Sequence, residues 1–154
     1  MSLGMTDSGS DRTYLGSCGC GATKVSLRSR LAPDEFQPRS DAQTCEFCRR
    51  HRGVWISDPR GSLLIDAGNE TTVTRFASGE VAFHFCAKCG DLTYASCVDL
   101  GAQRQVAVAR RDLFEVIRAA AKPVAVTNFE AALLADARKR RAENWTPCEA
   151  LSAL

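Results

Sequence analysis

From Ala22 to Arg30 the chain reads A-T-K-V-S-L-R-S-R, with apolar residues at alternate positions along its centre, which predicts a strand with one face buried and one in water. Ser62 to Asp66, Thr71 to Ala77, Val81 to Cys86, Asp91 to Cys97 and Arg104 to Ala109 also read as strands, rich in β-branched and aromatic residues. A shorter one covers Val54-Trp-Ile-Ser57. Turn chemistry separates them: Asp58-Pro-Arg-Gly61, Gly68 and Gly79 punctuate the series, and Pro33 and Pro38 bracket an earlier loop. Strands arriving about every ten residues predict an all-β domain. Beyond Arg111 the period changes. Asp112 to Ala121 and Asn128 to Asn144 have helical composition, with Asn128 as N-cap and Phe129, Leu133, Leu134 and Ala137 along one face. No internal repeat or low-complexity tract interrupts this order.

Composition fits that picture. With 154 residues, 45 % apolar and 25 % charged, the chain suits one domain with a modest core, whose stability does not depend wholly on metal. A formal charge of +2 gives no argument for nucleic acid, which calls for a continuous basic stripe with stacking aromatics, or for a membrane surface. There is no apolar run of the roughly 20 residues needed to span a bilayer and no secretory signal, so a soluble, cytoplasmic chain is expected. Residues 1–11 read as a disordered lead-in.

Cysteine changes the picture most. Six of the eight fall into tight pairs, Cys18/Cys20, Cys45/Cys48 and Cys86/Cys89, each at a turn. A Cys-x-Cys or Cys-x-x-Cys turn aims two thiolates at one point, so two such turns that meet can close a tetrahedral zinc site. Glycines beside Cys20 and after Cys89 let the backbone fold tightly around an ion. Without a secretory signal, reduced, metal-bound thiolates are favoured over disulfides. Spacing alone leaves open which pairs combine, and a ribbon of Cys45/Cys48 with Cys86/Cys89 is one arrangement it allows.

The order of the motifs is more specific. Ser17-Cys18-Gly19-Cys20-Gly21, then Cys45-Glu46-Phe47-Cys48-Arg49-Arg50, then Phe85-Cys86-Ala87-Lys88-Cys89-Gly90 resembles the glutathione-dependent formaldehyde-activating enzyme family, which includes centromere protein V-like proteins; the resemblance spans about Tyr14 to Leu113. It implies twisted antiparallel sheets of the beta-tent type over residues 12–113, followed by a helical extension over 114–154. It further implies a structural zinc held by Cys18, Cys20, Cys86 and Cys89, and a second, catalytic zinc at a Cys-x-Cys-x-x-Cys motif. Cys45 and Cys48 match the last two positions of that motif, while Gln43 stands at the first. The activity implied is that of a carbon–sulfur lyase acting on a small thiol adduct such as S-hydroxymethylglutathione. A neutral amide is a poor zinc ligand, so His51 or a water is the candidate third ligand. The absent cysteine also leaves standing the alternative of a non-catalytic, zinc-stabilised interaction module.

Other residues have a plain reading beside a functional one. Arg49, Arg50, His51 and Arg52 either meet substrate carboxylates through forked hydrogen bonds or form a solvated basic surface. His84 shares a strand face with Cys86 and either bonds near the zinc or is a half-exposed strand residue. Cys97 reads as a buried thiol and Cys148 as an exposed tail thiol. Trp55, Phe76 and Tyr94 read as core residues that could also wall a small pocket, and Arg138, Lys139, Arg140 and Arg141 as the wet face of the last helix.

Overall fold

The computed structural model describes residues 11–40, 50–51, 53–67, 71–75, 79–120, 123–126 and 134–150. Eleven strands run through them: β1 (Arg12–Ser17), β2 (Lys24–Ser29), β3 (Arg39–Ser40), β4 (Trp55–Ile56), β5 (Ser62–Asp66), β6 (Thr71–Arg75), β7 (Ala82–Cys86), β8 (Leu92–Asp99), β9 (Arg104–Arg110), β10 (Ala125–Val126) and β11 (Thr146–Ala150). The α-helices α1 (Glu115–Ala119) and α2 (Leu134–Asn144) accompany them. The fold is all-β, as the strand spacing predicts.

Strand β9 is the spine of the mixed sheet. One of its edges pairs antiparallel with β8 from Tyr94↔Ala109 to Asp99↔Arg104. Its other partners divide the strand between them: β11 meets it at Val106 and Ala107, β4 at Ala109 and Arg110. From β11 the sheet continues through β5 and β2 to β1, from β4 through β3 to β10, and from β8 through β7 to β6. Most pairs are antiparallel, as expected for this fold class, but β11 lies parallel to β5 and β10 parallel to β3. Both parallel pairs use strands beyond Arg111, where the sequence suggests helices alone.

Burial follows the alternation where one face is wet. Val25, Leu27, Leu63 and Ile65 point inward from β2 and β5, and their neighbours in between are largely exposed. They join Tyr14, Phe36, Ile56, Tyr94, Ala107, Ala109, Phe114 and Ile117 in the main core. Strand β8 is different, being buried at every position from Leu92 to Cys97. Both of its faces are covered: Tyr94 faces the main core, while Leu92 and Ala95 pack with Trp55 and Val108 in a second cluster flanked by Val81, Phe83, Phe85 and Trp145.

The C-terminal third departs from the sequence reading. Asp112 to Ala121 is a 3-10 turn over Arg111–Leu113 followed by five-residue α1, because Phe114 takes an extended backbone (φ −109°, ψ 102°) as its ring enters the core. Asn128, Phe129 and Leu133 lie outside the described residues, as does Phe76. Cys148, expected in an exposed tail, is half-buried in β11 and packs on the main core. Burial, reinforced by Glu149, pushes its thiol up to about 12, so it stays protonated.

A buried polar cluster fixes the start of β11. The Thr146 Oγ1 accepts the Asp58 backbone N–H at 2.7 Å, Ser29 Oγ donates to the Asp58 carboxylate at 2.5 Å, and the Arg60 N–H donates to its other oxygen at 3.0 Å. Thr146 is 1 % exposed. Thr146→Val keeps the shape and removes the acceptor, leaving a buried N–H without its partner. It is expected to cost about 1–3 kcal/mol, read as a lower denaturant midpoint at unchanged m-value.

Candidate metal centre

Two tight turns build the centre. In the β1–β2 turn the Cys18 N–H donates to the Thr23 carbonyl and the Gly21 N–H to the Cys18 carbonyl, both at 3.1 Å, and Gly21 takes φ +81°. In the β7–β8 turn the Gly90 N–H donates to the Cys86 carbonyl at 2.8 Å, with Gly90 at φ +79°. Side chains rarely adopt that left-handed backbone, so glycine is the residue each reversal favours. Asp91 ties one turn to the other. Its carboxylate accepts the Gly19 N–H at 2.7 Å, and its carbonyl accepts the Cys86 N–H at 2.9 Å.

The result is a cluster of four sulfurs. Cys18, Cys20, Cys86 and Cys89 have ligand atoms all within 4.8 Å of one another; Cys18 Sγ lies 3.7 Å from Cys20 Sγ, which lies 3.6 Å from Cys86 Sγ. A tetrahedron with metal–sulfur bonds of about 2.3 Å has edges of roughly 3.8 Å, so the spacing suits one tetrahedral ion. Cys18 and Cys86 are buried beneath it, and Cys20 and Cys89 close it from the solvent side.

Electrostatics point the same way. Burial pushes the Cys18 thiol up, but the Thr23 amide, at 3.3 Å from its sulfur, and the three neighbouring thiols outweigh it and bring it down to about 6. For Cys20 the Ala22 amide pulls down and is overcome by desolvation and the same neighbours, which push the thiol up to about 11. Cys86 is lowered, chiefly by the amide of Cys89. Without a cation the cluster divides its protons unequally, since adjacent thiolates repel. A divalent ion removes that conflict and lets all four sulfurs ionise.

The structure therefore brings together the four cysteines that the family resemblance groups, positioned to bind one metal ion. Cys45 and Cys48, with Gln43, lie outside the described residues. His51 is described, with its ring edge-on to Phe85 at 5.1 Å between centroids, one residue from Cys86. His84 does not reach the cluster. It stacks on Tyr94 at 4.0 Å and shares a 2.9 Å hydrogen bond with Ser96, while burial and the nearby Arg75 charge bring it down to about 4. Trp55 and Tyr94 are core residues, and Cys97 is buried. Asp91 and Thr23 escaped the sequence reading; Asp91 follows directly on Cys86-x-x-Cys89-Gly90, where a side chain bracing the turn is well placed.

Fold and site together define an all-β protein with a four-cysteine cluster positioned to bind one metal ion, and no helix among the described residues is long and apolar enough to cross a membrane. No protein-family model matches the sequence, and no curated protein matches it significantly. The chain is similar in fold to a Rhodobacter sphaeroides protein whose crystal structure was solved as a structural-genomics target. That similarity has a TM-score of 0.55 at 19 % identity and covers 73 % of this chain and 99 % of the other.

Proposed function

We propose that Cys18, Cys20, Cys86 and Cys89 hold one structural zinc ion, and that the protein is a carbon–sulfur lyase acting on thiol adducts of formaldehyde or a related aldehyde. The observation that carries the first half is the four-sulfur cluster with tetrahedral spacing. Thiolate ligands suit zinc, and a ligand set of four leaves no open position for substrate. Reduced cysteines also agree with a cytoplasmic setting.

The lyase reading rests on the motif series and assigns the chemistry to Cys45 and Cys48, not to the closed cluster. A second zinc held there, with His51 or a water completing the set, supplies Lewis acidity toward a substrate sulfur or oxygen. Support from the surroundings is physical. His51 meets Phe85, and Phe83 stands 6.1 Å from Trp55 between ring centroids, so His51 lies beside an aromatic face suited to one wall of a small-molecule pocket. Arg50, next to His51, is a cation suited to a substrate carboxylate.

One observation favours a second reading. Gln43, where the related motif carries cysteine, is what a non-catalytic, zinc-stabilised interaction module would show. Metal analysis of the purified protein separates the two: two zinc ions per chain are expected for the lyase and one for the module. Exchange NMR of formaldehyde with glutathione then tests the reaction. No acceleration by protein carrying its full metal complement removes the formaldehyde–glutathione assignment.

A further inference from the structure

At the opposite end of the β7–β8 hairpin from the metal cluster, about 20 Å along β8 at strand rise, a cleft of about 500 Å³ opens between that hairpin and α2. Its floor and walls are apolar: Cys97 and Val106 are buried, and Val98 and Leu100 line it while remaining 54 % and 69 % exposed. Its polar rim is unbalanced. Among the described residues that line it, Arg75, Arg138, Lys139 and Arg141 stand with two carboxylates, Glu80 and Asp99. The Asp99 carboxylate accepts the Gly101 and Ala102 amides in the β8–β9 turn. Glu80 is shared, one oxygen taking Arg138 and the other Arg141 at 3.1 Å. The reading of a wet helix face holds for Arg138, whose side chain is half exposed, whereas Arg141 is largely covered; both reach the one acid.

Two guanidinium groups on one carboxylate, above an apolar floor that lowers the local dielectric, leave donors and positive potential for another anion. We propose that this cleft binds a small amphipathic monoanion, with its carboxylate on Arg138 and Arg141 and a short apolar chain over Cys97, Val106, Val98 and Leu100. The volume falls within the range of small-ligand pockets and exceeds what a short acyl chain fills. Glu80 acts as the internal counter-ion that such a ligand must compete with. Cys97 is floor and not nucleophile, because burial keeps its thiol protonated against the opposing pull of Arg141.

Calorimetric titration of the full chain with octanoate tests this, with 1-octanol and inorganic phosphate as comparison ligands. Saturable octanoate binding is expected, with octanol and phosphate each at least about tenfold weaker, because one lacks the charge-assisted hydrogen bonds and the other the apolar chain. Glu80→Gln removes the competing carboxylate and is expected to bind octanoate about tenfold tighter, whereas a carboxylate that only anchors α2 predicts no gain. Ala142→Trp fills the cleft and abolishes binding. Leu100→Asp, at a surface position that leaves the fold intact, weakens it through a negative charge at the mouth. The proposal is overturned by the absence of saturable octanoate binding, by octanol or phosphate binding as tightly, or by unchanged octanoate affinity in Leu100→Asp.

Discussion

Cys89→Ser protein will retain less than about a tenth of the parent's zinc and will melt at a much lower temperature than the parent. Cys89 is the informative position because its side chain is exposed. A serine there disturbs no packing, so any loss of stability has to come from the ligand set. Cys18→Ser is expected to do the same with an added packing penalty, since Cys18 is 3 % exposed and its sulfur accepts the Thr23 amide. Binding free energy at such a centre is folding free energy, of order 10 kcal/mol for small zinc domains. Here a core of two clusters shares the task, so chelation should lower the melting temperature steeply and leave residual β structure. Zinc needs all four sulfurs deprotonated, so retention falls as pH falls. A Cys89→Ser protein as zinc-rich and as stable as the parent would remove the metal centre from the account.

The second large effect concerns β11. A chain ending at Asn144 is expected to lose cooperative unfolding altogether, observed as a flat near-ultraviolet signal and early proteolysis. The missing strand contributes pairs on both sides, Thr146 and Pro147 to β9 and Cys148 to Ala150 to β5. It supplies the acceptor for the buried Asp58 amide and part of the wall behind Tyr94. Without it the β1–β2–β5 section has no hydrogen-bonded partner toward β9. An unchanged melting temperature in the shortened chain would mean that this section is held by side-chain packing alone.

How much of this was readable beforehand depends on how local the cause is. Ser62 to Asp66 alternates within five residues and emerges at those bounds as β5. The cysteine turns were legible for the same reason, because Gly21 and Gly90 sit where each reversal needs them. What brings Cys18 and Cys20 to Cys86 and Cys89 is tertiary, and spacing left the partners open; the choice came from the resemblance. Strand β11 was not legible at all. Thr-Pro-Cys-Glu-Ala follows directly on a helix and carries a proline and a charge, and only its two neighbours make it a strand. The covering of Arg141 against Glu80 was hidden likewise, since Glu80 lies far away in sequence.

Because β11 joins β5 to β9, the two flanks cannot lock together while residues 146–150 are still inside the ribosomal tunnel. The β7–β8 hairpin and its cysteines emerge well before then, beside an opening turn already waiting outside. With the proposed zinc in place, nascent chains would close the four-sulfur cluster before the sheet, a local clasp during the interval when the apolar strand edges are most open to aggregation.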